Sequence, residues 1–200
     1  MDTTVKKPVR FCNPVEKTEV EEPELGEIID PTAHLTCYEI DEVESEPAFV
    51  KRSVLVTNQI VTDQRLDLVE PSELCVPSEK NDVDSDLDHL DHFKCYKLER
   101  KRGQNAYPPL PVTVALEDQF DSGPVNYIIE KPFRFCNPVS KNGEEILDPE
   151  GHLTCYKIKR ETSVSFQKVT IESDNQFQDD QMLNLLESDT LCIPSLKALP

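Results

Sequence analysis

The side chains in this chain best suited to chemistry are sulfur atoms, with imidazoles set three positions before some of them. Seven cysteines fall into two recurring frames. The first is His-x-x-Cys-Tyr, at His34-Leu35-Thr36-Cys37-Tyr38, His92-Phe93-Lys94-Cys95-Tyr96 and His152-Leu153-Thr154-Cys155-Tyr156. The second is Cys-x-Pro, beginning at Cys12, Cys75, Cys136 and Cys192. Cysteines locked into repeated apolar frames read as a disulfide framework made in an oxidising compartment. Zinc is the competing chemistry, because Asp30 with His34, Asp88 with His92 and Asp148 with His152 precede three of the cysteines. No Cys-x-x-Cys knuckle supports it. Catalysis would need a nucleophile or a paired acid gathered in a pocket, and no such constellation is visible. The Asp-x-x-x-His pairs therefore read as an aspartate capping a turn and a histidine packed beside a cystine.

Two regular pairings suit the cysteines. One closes the polar loops, Cys12 with Cys37, Cys75 with Cys95 and Cys136 with Cys155, leaving Cys192 alone. The other joins Cys37 with Cys75, Cys95 with Cys136 and Cys155 with Cys192, leaving Cys12 alone. Chain entropy does not separate them, since loops of about 20 and about 40 residues give roughly 3.3 and 3.9 kcal/mol per bridge. The first is expected, because a bridge at the mouth of a loop rich in polar residues, Pro and Gly would replace a tight turn.

One loop carries alternating carboxylates, Asp82, Asp84, Asp86 and Asp88, the oxygen ligands that calcium prefers. It is not an EF-hand: Leu87 stands where the sharp turn needs glycine, and Phe93 where the bidentate glutamate belongs. It reads first as a solvated acidic loop, with a calcium site as the alternative.

The elements that must position these groups are strands. After Cys155 come Tyr156, Ile158 and Arg160 with Lys157 and Lys159 between them, and the stretches after Cys37 and Cys95 alternate in the same way. That is the period of a half-buried strand, and no stretch sustains a helical period. A second strand follows in each copy, around Val54, Val112 and Val164, and a third runs into Cys-x-Pro. An Asn/Asp-Gln marker lies between the cysteines at Asn58-Gln59, Asp118-Gln119 and Asn175-Gln176. Three markers in step at a spacing of about 60 residues indicate duplication. The expected organisation is a partial module over 1–33, then modules over 34–91, 92–151 and 152–200, the last truncated. Three short strands cannot bury both faces alone, so modules are expected to pair into sandwich- or barrel-like units in an all-β fold stapled by disulfides.

Composition narrows the role. A net charge of -18, from 21 basic and 39 acidic side chains, opposes binding to nucleic acid. No apolar run approaches the roughly 18 residues of a membrane-spanning helix. The opening Met1-Asp2-Thr3-Thr4 lacks the basic and apolar regions of an export signal, so the signal expected of an exported protein is missing from this sequence.

The Leu-Cys-x-Pro and His-x-x-Cys-Tyr-Lys signatures, with Asp-Gln-Phe between them, resemble an uncharacterised family of exported prokaryotic repeat domains. The resemblance covers nearly the whole chain and implies secretion and repetition, without implying a chemistry. Tyr38-Glu39 and Ile60 depart from its pattern in the first module. The expectation is a non-enzymatic structural or interaction protein of a cell surface, envelope or extracellular assembly, meeting other proteins, neighbouring repeats or copies of itself. A calcium- or ligand-binding module is the second reading, and a hydrolase the third.

Overall fold

A computed structural model of the chain describes residues 3–19, 28–44, 47–81, 87–99, 112–161 and 165–200. The described residues form twelve strands: β1 (Thr3–Cys12), β2 (Glu16–Glu19), β3 (His34–Glu42), β4 (Arg52–Thr57), β5 (Gln64–Lys80), β6 (Phe93–Glu99), β7 (Val112–Glu117), β8 (Val125–Pro138), β9 (His152–Arg160), β10 (Val169–Asn175), β11 (Gln178–Leu185) and β12 (Thr190–Ala198). One 3-10 turn, Leu87–His89, completes the regular structure among them. The fold is all-β, as the alternation of side chains requires, and the strands join in one antiparallel sheet.

Two long strands organise it. β5 pairs with β4 through its first residues, with β6 through its middle and with β3 from Glu73 to Ser78. β8 does the same with β7, β9 and β6. The ladder running β5, β4, β12, β9, β8, β6 returns to β5, so the pairings form a closed circuit. Closure matters energetically because a strand within such a circuit has partners for its backbone on both sides.

The registers recur. Cys37 lies opposite Cys75, Cys95 opposite Cys136 and Cys155 opposite Cys192. In the pairs between successive His-x-x-Cys-Tyr and Cys-x-Pro strands, Cys12 lies opposite Leu35, Cys75 opposite Phe93 and Cys136 opposite Leu153. Each of these last three ladders slips at a proline, Pro8, Pro71 and Pro132. A proline has no N–H to give to a ladder, and a bulge is where a sheet tolerates one.

The period of two sorts side chains onto two faces. β3 and β9 show the same burial sequence residue for residue. On one face, Leu35 and Cys37, Phe93 and Cys95, Leu153 and Cys155 join the other cysteines in a single sulfur-rich cluster. On the opposite face, Tyr38 and Ile40 pack with Leu74 and Val76, and Tyr156 and Ile158 pack with Tyr127, Ile129, Leu191 and Ile193. A third cluster gathers Val54, Val56, Leu66, Leu68 and Phe135. The interior is thus several modest apolar clusters around a sulfur seam, in keeping with a chain that has 37% hydrophobic residues and no Trp.

Candidate functional site

The disulfides correct the expected pairing. Cys37 is bonded to Cys75, Cys95 to Cys136 and Cys155 to Cys192, and Cys12, not Cys192, is the free thiol. The bridges span sequence separations of 38, 41 and 37 residues. The physical reason is register: these partners are directly opposed across their ladders, whereas Cys12 faces Leu35 and Cys37 faces Arg10. Cys12 and Cys37 are therefore diagonal neighbours on the same face, with sulfurs 3.9 Å apart and no disulfide between them. Cys75 and Cys95, both already bridged to other partners, are also 3.9 Å apart. The polar loops expected to need a staple at their mouths are held by backbone ladders instead.

Around Cys12 the thiol is pushed up to about 11, first by burial and then by the Glu73 carboxylate, against the lowering influence of Arg10. A thiol so protonated is a poor nucleophile at neutral pH.

Beside the sulfur row lies a charged cluster that sequence reading did not single out. Glu73 is nearly fully buried and accepts from Arg134 Nη2 at 2.6 Å, with Arg10 Nε at 3.5 Å. Arg10 Nη1 continues to Asp189 Oδ1 at 3.2 Å, and Lys157 Nζ donates to Asp189 Oδ2 at 2.7 Å. The ring of Phe133 carries the Arg10, Arg134 and Lys157 cations at 5.4, 4.6 and 4.6 Å from its centroid. Burial pushes the Glu73 carboxyl above its ordinary range even with two guanidiniums beside it. Asp189 is held below its ordinary range by hydrogen bonds from Lys157 and Thr190 and by Arg10, which outweigh the desolvation that acts first and in the opposite direction. The signal for this cluster was present in the chain: Arg10, Glu73, Arg134 and Thr190 each stand two residues before a cysteine of Cys-x-Pro. Only the three-dimensional ladder shows that those four positions converge. Both carboxylates of the cluster are ion-paired, while Arg10 Nε and Arg134 Nη1 are buried without a hydrogen-bond partner.

The Asp-x-x-x-His pairs are taken apart. Asp30 Oδ1 accepts the Thr32 N–H at 2.8 Å, and Asp148 Oδ1 accepts the Glu150 N–H at 3.1 Å, as turn-capping aspartates do. Asp30 turns its other oxygen to His89 Nε2 at 2.8 Å, and the His89 and Thr32 hydrogen bonds hold its carboxyl down to about 2. His34 instead packs against Phe11, with ring centroids 5.4 Å apart, and burial holds its imidazole down to about 4. His152 packs against Phe135 at 5.7 Å with neither ring nitrogen hydrogen-bonded. His92 Nδ1 lies 3.3 Å from Glu144, and its Nε2 contacts Gln176.

No described group brings together three or more His, Cys, Asp or Glu side chains able to hold a metal ion. The calcium candidates Asp82, Asp84 and Asp86 lie outside the described residues. Asp88 falls in the 3-10 turn that follows them.

Each Asn/Asp-Gln marker turns a hairpin and also ties it to a distant part of the chain, the Asp118-Gln119 copy through Gln119 Nε2, which donates to Asn13 Oδ1 at 2.8 Å. Asn58 Oδ1 accepts from the N–H groups of Ile60 and Val61 at 2.9 and 3.2 Å, Asp118 from Phe120 at 2.8 Å and Asn175 from Phe177 at 3.1 Å. Asn58 Nδ2 then donates to Tyr156 Oη at 3.1 Å and Ser195 Oγ at 3.0 Å, while Tyr38 donates to Asn175 Oδ1 at 3.1 Å. The hairpin of β4 and β5 is thereby fixed to β9 and β12, and the hairpin of β10 and β11 to β3.

Comparison with known proteins adds nothing to this geometry. No family model, curated protein or solved structure matches the chain. The structure itself is then the ground for function. Three disulfides are present, and no described helix is long and apolar enough to cross a membrane.

Proposed function

We propose that this chain is an exported, disulfide-stapled structural or protein-interaction repeat protein of a cell surface, envelope or extracellular assembly, built of tandem modules of about 60 residues and without catalytic activity. The observation that carries this reading is the threefold recurrence of one register with one bridge placed at the same rung. Cystines in which each partner sits directly opposite the other on a ladder belong to a scaffold made for an oxidising environment. The motif side chains support the same conclusion. The histidines are packed on rings or held at turns, the aspartates cap turns, the markers order hairpins, and the buried Glu73 is ion-paired with Arg134 and Arg10. A fold that spends its polar residues in this way presents surface and spacing to partners.

Labelling intact cells of the source with a membrane-impermeant amine reagent, followed by non-reducing digestion and mass spectrometry of the labelled protein, tests the proposal. Surface labelling together with the three bridges is the expected result. Labelling only after lysis, or cysteines recovered as free thiols, would overturn it.

A further inference from the structure

Five of the seven strands that carry the cysteine row have a neighbour on both sides of the cysteine. β3 lies between β1 and β5, β5 between β3 and β6, β6 between β5 and β8, β8 between β6 and β9, and β9 between β8 and β12. The two ends of the row are different. Among the described residues β1 pairs only with β3, and β12 over Thr190–Ser195 pairs only with β9. β1 and this first stretch of β12 line one cleft of about 400 Å³, with Pro8, Arg10 and Cys12 from the one and Thr190 and Cys192, next to Asp189, from the other, over a floor that includes Leu116, Tyr127 and Ile158. Arg10 spans it, its Nη1 reaching Asp189 at 3.2 Å and Thr190 at 3.5 Å. A long arginine meeting short side chains suits walls about two strand spacings apart, each spacing being ~4.8 Å.

We infer that the cleft between β1 and β12 is an acceptor for one extended strand of the His-x-x-Cys-Tyr type, supplied by another polypeptide that carries this motif. The inference rests on the repeat reading proposed above and names the partner that reading calls for. Register makes it specific. Wherever a Cys-x-Pro strand meets the next His-x-x-Cys-Tyr strand, its cysteine faces the residue after the histidine, as Cys75 faces Phe93 and Cys136 faces Leu153. Applied to β12, that rule sets the incoming strand with its second residue at Cys192 and its own cysteine at Thr190. Wherever a His-x-x-Cys-Tyr strand meets the Cys-x-Pro strand that completes its bridge, cysteine faces cysteine. Applied to β1, that rule sets the incoming cysteine opposite Cys12, the one cysteine without a bridge. A single strand satisfies both rules at once. Ser188 stands where Pro71 and Pro132 stand in the filled ladders, so the segment leading into β12 has an N–H where those ladders have none.

A synthetic peptide with the order His-Leu-Thr-Cys-Tyr-Lys-Ile-Lys-Arg, taken from β9, tests this when its cysteine is carried as a mixed disulfide with 2-thiopyridine. Cys12 Sγ, as the thiolate, attacks the peptide sulfur. The new S–S bond forms as the old one breaks, and 2-thiopyridone leaves with the electron pair and takes up a proton. The expected result is release at least about tenfold faster than with a scrambled peptide of the same composition, a difference in recognition of one factor of ten. The adduct should sit on Cys12, and amide exchange should slow on both walls, at Arg10–Cys12 and at Thr190–Cys192. A Cys12→Ser chain should still bind the peptide's Cys→Ser form, measured by fluorescence anisotropy, and show the same two-sided protection. Equal rates for the two peptides, protection on neither wall or on one only, or a Cys12–Cys12 linked dimer that takes up no peptide would each overturn the acceptor. Mapping the bridges of the same sample separates the failures. With the three bridges intact, a negative peptide result removes the acceptor alone, and without them the repeat reading falls as well.

Discussion

His34 shows what burial does to a motif residue. Its ring sits on Phe11, and burial keeps its imidazole neutral to about 4 instead of the ordinary 6.5. For a base with a depressed folded pKa, the unfolded chain takes up the proton first. Stability from this residue is therefore complete above about 6.5, declines as the pH falls from there to about 4, and is level below; the total is on the order of 3 kcal/mol. Urea midpoints of the parent and His34→Gln chains at pH 7 and pH 4.5 check it: the parent should lose more on acidification than the variant. His92 and His152 are held down in the same sense, so the variant should keep part of the slope. The cysteines give a second contrast. Removing one bridge by a Cys155→Ala and Cys192→Ala double substitution should cost about 4 kcal/mol for a loop of its length. Cys12→Ser, which breaks no bridge, should cost about 1 kcal/mol, the scale of placing a hydroxyl in a mostly buried site. Denaturant titration of both under non-reducing conditions makes the comparison.

At the scale of elements, hairpin docking is concentrated in few atoms. Asn58 ties its own turn and reaches Tyr156 and Ser195 with the other end of the amide. Asn58→Ala should lower stability by about 2 kcal/mol, the combined effect of orphaned turn N–H groups and two lost side-chain bonds. Asn58→Asp keeps the turn and loses only the donor, so it should fall between the two in thermal melts. These elements were legible to different degrees. Strand type followed from the alternation after Cys37, Cys95 and Cys155, because a period of two is written directly into residue order. The Asn/Asp markers were legible as a recurring position but not as docking groups, since their partners lie in other parts of the chain. Pro8, Pro71 and Pro132 recur four residues before a cysteine, yet their use as bulge sites depends on which strand lies alongside. The bridges were misassigned for the same reason. Both pairings fit the sequence, and only the register sets Cys37 opposite Cys75 instead of Cys12. The Arg10, Glu73, Arg134 and Asp189 cluster was legible only as a recurring position before Cys-x-Pro and not as a cluster, because its members come from three separate strands and the segment before β12.

For the molecule as a whole, cross-links and charge act in opposite directions. A chain with several modest apolar clusters relies on its cystines, so mild reduction should lower the melting temperature by about ten degrees or more, on the order of 4 kcal/mol per bridge against a few °C per kcal/mol. The charge of -18 adds self-repulsion that salt relieves. Raising salt from about 0.01 M to about 1 M shortens the screening length from ~30 to ~3 Å, and the non-reduced protein should melt higher at the upper end. Differential scanning calorimetry across the four combinations of reductant and salt checks both. The long-range docking of the first hairpin carries a further consequence for how the protein is made. Asn58 meets Tyr156 and Ser195 across 98 and 137 residues, so this side-chain dock closes only after those two distant strands have been made. Until then the hairpin is held by its local ladders and by the pairing of β5 with β3, so its turn is the part of this region expected to order last.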